Sequence, residues 1–511
     1  MKPVETGNPH STGFAFERMV IAFVAVSFLI RLICAAALPL SGDEALYWSY
    51  SKHLNWGYID HPIMNPLVIR IGTFFLGDTP LGTRVVPLLL SLPATWAIWK
   101  TGEILLGSKR AGATAALLFN LTIAVSVGSF IATSDSSVIV TSAFTLLALA
   151  RLEKTENPKR WIEVGFWIGM GMLTKYTTVF LALGILTWLV LVPTRRKWLI
   201  NPYSFLGGMI SLGFFLLVLK WNSEHGWISF IYQAGRTTVH VWTLKYLGDF
   251  LASQIGFLTP PIFLLGVLGI FGSSKQSAIV PSARALIVSL IAPMFLYFTW
   301  HSLHERVEGN WLEVMYPAYV IAAAMAIERA GKAGLGSKFI MWSRRLLLPF
   351  GVGLALIIYV QALFGVMPLG RKDPTSRELA FGWPEISSAI QTIKQQTGAE
   401  SIITSDYTTN SWLRFYSPKT LIVTQINERL RWANEPPPPS DTFNKPMLYI
   451  CRDSCQFLDD VQSGFDHFET VETLVRRRHG LPIETYSVFL VSGPRRPPFE
   501  FIDMPFVKGQ S

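Results

Sequence analysis

The feature that most limits what this chain can become is a series of long apolar runs separated by short polar breaks. Residues 19–40, 85–98, 179–192, 205–219, 257–270, 285–300, 311–327 and 346–363 carry almost no charge. Several approach the ~20 residues that take an α-helix across the hydrocarbon core of a bilayer. Only 15% of the 511 residues are charged and 50% are hydrophobic, whereas a soluble domain is about one-quarter charged. A transmembrane β-barrel would instead show ~10-residue segments of alternating polarity. The pattern predicts a polytopic α-helical membrane protein with about eleven spans.

Charge then sets the orientation. With residues 1–17 as a cytoplasmic tail, Lys109, Arg110, Arg151, Lys159, Arg160, Arg195, Arg196, Lys197, Arg344 and Arg345 all fall in cytoplasmic loops. The opposite side receives far fewer basic residues. That asymmetry is the positive-inside bias, and it accounts for the formal net charge of +10 without any nucleic-acid partner. The first apolar run is too long and its start too weakly basic for a typical cleaved signal peptide, so it reads as a retained first helix. A multi-pass inner (plasma) membrane protein is expected, with the N-terminus cytoplasmic and the C-terminal domain periplasmic.

Spans alternate with short loops across residues 18–366, which are expected to form the membrane domain. From residue 367 onward hydropathy falls. Short strand-like runs at 401–404, 420–424, 447–451 and 487–491 alternate with helical patterns at 383–396 and 455–465. Residues 367–511 therefore read as a small periplasmic α/β domain of ordinary size. Cys451 and Cys455 lie in this domain, where an oxidising compartment permits a disulfide; spacing alone leaves free thiols equally open.

The unusual polar residues converge on the outer side. Adjacent Asp43 and Glu44 follow the first apolar run, and Asp60-His61 stand a short way on. A carboxylate there is a candidate general base that takes a proton from an attacking hydroxyl or amine. Two adjacent residues do not usually aim at one point, so Asp43 is read as the actor and Glu44 as its supporting neighbour. Asp135, between Ser134 and Ser136, reads either as a helix N-cap or as a further catalytic acid. Lys175 is a lone cation in a minimal loop, either snorkelling to the interface or contacting a phosphate. Asp60-His61 before Pro62 fits a turn, or a divalent-metal and phosphate contact. The segment from Trp221 through His225 to Trp227 fits an interfacial aromatic belt or an aromatic sugar platform. There is no P-loop or dinucleotide fingerprint, so no nucleotide cofactor is indicated.

These residues resemble, in order, the motifs of bacterial dolichyl-phosphate-mannose-protein mannosyltransferase-like glycosyltransferases, a broad group that includes lipid A aminoarabinose and galacturonic acid transferases. The stretch Gly42-Asp43-Glu44-Ala45-Leu46-Tyr47-Trp48 with Gly57-Tyr58-Ile59-Asp60-His61-Pro62 is similar to the group's first outer loop. Thr133-Ser134-Asp135, Thr174-Lys175-Tyr176, Trp221-Asn222, Gln233 with Arg236, and Asn310-Trp311 are similar to later motifs. Here Ile63 follows Pro62 where the group often has a second proline, and Ser136-Ser137 follow Asp135.

The resemblance implies a glycosyltransferase-C membrane fold and a polyprenyl-phosphate sugar donor. It implies inverting transfer to an envelope acceptor, whether lipid A or another glycolipid, a polysaccharide or a protein. It assigns Asp43, Glu44 and Asp135 to catalysis, and Lys175, His61 and Arg236 to the donor phosphate. Tyr58, His225 and Trp227 fall to the sugar or acceptor. Asp60 matches a position near which some relatives hold a divalent metal. The competing readings are a sugar-lipid transporter or flippase, which calls for repeated broken spans with midplane charges, and a non-catalytic assembly scaffold.

Overall fold

The computed structural model describes residues 9–235, 242–272, 281–329, 335–453 and 455–496. It divides into two compact units: Met1–Ile33 with Val85–Lys220 and Thr237–Leu356, and Cys34–Arg84 with Trp221–Arg236 and Ile357–Ser511.

The first unit is helical. Among the described residues, 7 helices are long and apolar enough to cross a membrane, or up to 10 spans if each of three bent pairs counts as one. The sequence suggested about eleven, on the ~20-residue criterion. Two of the bends have a covalent cause. Pro193 stands at the 118° break after Tyr176–Leu191, and Pro260 at the 102° break after Lys245–Leu258. A proline cannot donate to the preceding turn and clashes with it, but suits the first position of a new helix.

The helices differ widely in burial. The span Ser134–Thr155 is 83% buried and Pro202–Glu224 only 11%. On the latter, Phe205, Met209, Leu212 and Leu216 are all exposed, and their helical spacing makes them one lipid-facing stripe. Glycines allow close approach where helices meet: a Cβ on Gly165 would collide with the Gly207 carbonyl oxygen. Small residues at such contacts replace the hydrophobic driving force that lipid cannot supply. Arg31, fully buried within the first span, donates to the Ser129 hydroxyl (2.9 Å) and the Asn120 side-chain oxygen (3.0 Å); an intramembrane charge persists only with such partners.

The second unit carries a five-stranded sheet: β1 (Ser401–Thr404), β2 (Ile422–Gln425), β3 (Met447–Arg452), β4 (Phe465–Arg478) and β5 (Leu481–Pro494). The order is β2-β1-β3-β5-β4, parallel at β1 and antiparallel along β5. Helices Trp383–Thr397 and Tyr407–Tyr416 accompany it. Cys451 and Cys455 are joined by a disulfide. The helix expected over 455–465 shrinks to Leu458–Ser463, and β4 was not anticipated. Its charged sequence hides the strand, while His479 and Gly480, both at positive φ, form the two-residue turn that joins it to β5.

What reads as a long outer loop is ordered. It comprises helix Gly42–Lys52, a tight turn, and helix Met64–Leu76. Ser41 caps the first helix by accepting from the Glu44 N–H, and the Glu44 carboxylate accepts from the Ser41 N–H. This capping box is worth ~1 kcal/mol. The helix then docks on Tyr407–Tyr416: the Tyr416 hydroxyl receives the Leu40 N–H at 2.9 Å, and the Trp412 indole donates to the Leu40 carbonyl at 3.3 Å.

Candidate functional site

The two adjacent acids have opposite environments. Glu44 is fully buried, and the buried Arg84 guanidinium donates to both of its oxygens at 2.6 Å. Arg84 also donates to the Leu38 and Pro39 carbonyls at 2.6 and 2.9 Å. Glu44 thus ties the helix start to the preceding chain. Asp43, one position earlier on the helix, keeps solvent-accessible surface. Its partner is the Tyr407 hydroxyl, which donates to Oδ1 at 3.0 Å.

Tyr407 leads to a second acid. The Arg431 guanidinium lies 4.6 Å from the Tyr407 ring centre, a cation–π contact. Its Nη1 donates to both oxygens of Asp60, at 2.8 and 2.7 Å, and its Nε donates to Glu428 at 3.0 Å. The Tyr50 hydroxyl completes the set by donating to Asp60 Oδ2 at 3.0 Å. In the line Asp43–Tyr407–Arg431–Asp60–Tyr50, two donors therefore stand between the acids and a third closes the far end.

The titrations of the acids differ accordingly. Crowding by protein raises the Asp43 carboxyl to about 6, with further upward push from Asp60 and Glu378, against lowering by the Tyr407 hydrogen bond and Arg431. Because Asp43 also keeps open surface, water offsets part of that push, and its upward direction carries the argument. Burial opposes ionisation of Asp60 too, but Arg431, His61 and the donated hydrogen bonds outweigh it and hold this carboxyl below its ordinary value. One acid is poised to change protonation near neutrality, and the other is locked as an anion.

The Asp60 turn is pinned on both sides. The Tyr58 N–H donates to the His61 carbonyl at 3.1 Å. Ser229 donates to the Tyr58 carbonyl (2.7 Å), Gln233 to the Asp60 carbonyl (2.9 Å) and Asn434 to the Gly57 carbonyl (2.8 Å). Tyr58 stacks on Tyr50 with ring centres 4.4 Å apart. Its hydroxyl donates toward the Tyr50 and His53 carbonyls and accepts from the Asn55 N–H, so it braces the turn. His61 is half-buried, its ring 6.3 Å from that of Tyr47. His225 stacks on Trp221 at 4.2 Å, with Nδ1 against the Trp221 carbonyl. Trp227 is 47% exposed and is the freest aromatic surface in this set. Arg236 lies outside the described residues.

The first unit holds a separate charged cluster. Asp135 stands in the first turn of Ser134–Thr155, but Thr133 is the N-cap. Lys175 is buried and pairs with Asp135 Oδ1. Lys175 also donates to the Asn310 carbonyl at 3.3 Å, while the Asn310 amide donates to Asp135 Oδ2 at 2.8 Å. Buried Glu313 lies within electrostatic range of both charges. Lys175 is thus an ion-paired residue and does not snorkel.

Comparison with known proteins fixes the class. Residues 60–221 match the family described as dolichyl-phosphate-mannose-protein mannosyltransferase. The lipid A galacturonosyltransferase RgtD of Rhizobium johnstonii is 24% identical over 405 residues, 77% of this chain and 79% of that one. The crystal structure of ArnT from Cupriavidus metallidurans bound to undecaprenyl phosphate superposes with a TM-score of 0.64 at 16% identity, over 93% of this chain and 99% of that one. Its apo form gives 0.63 at 15% identity, with the same coverage. The chain is a membrane glycosyltransferase of the glycosyltransferase-C fold. It is a multi-pass inner-membrane protein.

The transferase's sequence exposed one half of its charged line and hid the other. Asp43 and Asp60 stand out beside an apolar run. Tyr407 and Arg431 are 364 and 371 positions away from the acids they hold; the Asp406-Tyr407 pair resembles a motif at the start of the group's outer domain, but nothing in the sequence ties either residue to its acid. The Arg84 partner of Glu44 was likewise missed, although the Ser41-Gly42-Asp43-Glu44 capping signature was legible.

A divalent metal fits the Asp60 site poorly. Both carboxylate oxygens already accept from one guanidinium nitrogen, so a bidentate cation would have to displace a buried positive charge. Among the described residues, no group of three or more His, Cys, Asp or Glu side chains is arranged to hold a metal.

Proposed function

We propose that the transferase moves a sugar from a polyprenyl-phosphate donor to an envelope glycolipid of the lipid A kind, on the periplasmic face. The acceptor hydroxyl attacks the anomeric carbon as the carbon–oxygen bond to phosphate breaks. Its proton passes to Asp43, and the bond's electron pair leaves with the polyprenyl phosphate, which inverts the anomeric centre. The observation that carries this reading is the accessible Asp43 carboxylate, oriented by Tyr407 and raised toward neutrality, as a general base requires. The undecaprenyl phosphate in the ArnT structure and the lipid A acceptor in the name of RgtD support the two substrate classes. The basic residues that fit the positive-inside bias support a cytoplasmic N-terminus and a periplasmic C-terminal domain.

Glu44 serves as an anchor in this reading. Lys175 keeps the donor-phosphate assignment, with Asp135 and the Asn310 carbonyl as its resting partners. Mass spectrometry of envelope lipids and glycans from cells with and without the protein tests the reading. A glycolipid species heavier by one sugar should vanish with the protein. An unchanged set of glycolipids together with accumulated lipid-linked donor on one leaflet would favour a flippase instead.

A further inference from the structure

The Asp60 turn and the segment around Arg431 come from opposite ends of the chain, yet they interlock. Asn434 accepts from the Asn55 amide and the Trp221 indole, each at 2.9 Å, and donates to the Gly57 carbonyl. This fixes the turn whose next acid is Asp60. Three residues before Asn434, Arg431 is itself buried. Its Nη1 is nearly equidistant from the two Asp60 oxygens, at 2.8 and 2.7 Å. That is the position a bidentate divalent cation would take at a carboxylate. The face of the same guanidinium covers Tyr407 at 4.6 Å, and the Tyr407 hydroxyl holds Asp43. One side chain therefore touches both the locked acid and the donor that orients the base.

We propose that Arg431 is the resident cation of this site: it occupies the metal position at Asp60, positions Asp43 through Tyr407, and leaves sugar transfer independent of divalent metal at Asp60. An arginine suits the task better than a lysine, because a planar guanidinium serves Asp60, Glu428 and the Tyr407 ring at once, which a point charge does not. Arg431 touches no reacting atom and is a positioning residue. The proposal rests on the transferase reading only where it takes Asp43 as the base.

The test uses purified full-length protein in detergent, with Mn2+ as the metal probe. In the wild type, electron paramagnetic resonance should show no Mn2+ bound in a manner that Asp60→Asn removes. Transfer from a synthetic undecaprenyl-phosphate sugar should survive chelation within two-fold. Arg431→Met should lower kcat by roughly 10- to 100-fold, the scale seen when the partner that orients a metal ligand is lost, with less change in donor KM. It should also move the acidic limb of the pH profile upward, because Arg431 lowers the Asp43 carboxyl; a purely structural role would not move that limb. Arg431→Lys should recover part of the rate.

One Mn2+ per wild-type protein lost in Asp60→Asn, or transfer abolished by chelation and restored by Mn2+, overturns the proposal. Neither arm uses Arg431→Met, and the chelation arm needs only folded wild type, so it decides the matter even where a variant fails to fold. Absence of wild-type transfer from any polyprenyl-phosphate donor would instead sink the functional reading, and the Mn2+ measurement would still decide the role of Arg431.

Discussion

Asp43 and Glu44 are neighbours with the same chemistry, and their environments predict opposite mutant phenotypes. Glu44→Gln keeps side-chain volume but removes the charge that balances Arg84. Both Arg84–Glu44 hydrogen bonds are 2.6 Å, and the two side chains are 1% and 0% exposed. Removing one partner of a buried pair costs about 3–5 kcal/mol, since the remaining charge stays buried and uncompensated. The capping box with Ser41 is weakened at the same time, for a further ~1 kcal/mol. The sum is roughly 4–6 kcal/mol, and at about 2 °C per kcal/mol in larger domains this lowers apparent Tm on the order of 10 °C. Arg84→Met should behave alike, and the Arg84→Met/Glu44→Gln double variant should recover much of the loss, because neither charge is then stranded. Asp43→Asn removes an exposed charge whose oxygen still accepts from Tyr407, so its Tm should stay within the ~0.5 kcal/mol range of surface changes. Thermal unfolding in detergent beside a transfer assay reads both effects. Glu44→Gln with wild-type Tm and abolished transfer would refute the reasoning and make Glu44 the acting acid.

Other outcomes follow from the same contacts. Transfer should fall as pH drops through about 6, because Asp43 must be ionised to accept a proton and its carboxyl is raised there. The groups facing it are Tyr407, Asp60, Glu378 and Arg431, of which Tyr407 and Arg431 lower the carboxyl. Tyr407→Phe should therefore shift the acidic limb upward, and a downward shift in the pH–rate profile would contradict this. Gly57→Ala should destabilise by roughly 1–3 kcal/mol through overpacking, since a Cβ would lie 2.5 Å from the Trp221 ring; unchanged Tm and tryptophan fluorescence would count against it. Lys175→Met should raise donor KM more than acceptor KM, and an effect confined to the acceptor would reject the phosphate assignment. Its folding should improve when Asp135→Asn is added, because Lys175 and Asp135 are an ion pair.

Much of the architecture was legible because membrane burial acts locally. A span has to be apolar along its own length, so each helix announces itself within ~20 residues. Strands β1 and β3 were visible for a similar reason: their four and six residues are almost wholly buried, around Ile402 and Ile403 in β1 and along an apolar run ending at Cys451 in β3. β4 stayed hidden because its burial pattern alternates irregularly among charged residues. The segment after Ser41 looked like a loop because its acids break the apolar run, although Ser41 and Glu44 carry a helix-start signature.

The candidate site was half legible for a different reason. A carboxylate beside a membrane span is conspicuous on its own. The residue that neutralises or orients it is chosen by the three-dimensional fold, and Arg431 among many arginines has no sequence mark. The same holds for Lys175, whose isolation in the sequence suggested a free cation while packing supplies Asp135 and Asn310 as partners.

The most direct test of the account is transfer by purified protein from a synthetic undecaprenyl-phosphate sugar to lipid A, followed by mass spectrometry of the product. Wild-type protein should add one sugar, and Asp43→Asn of wild-type Tm should add none. Equal product from the two proteins would contradict the central claim that Asp43 is the base of a lipid-linked glycosyl transfer.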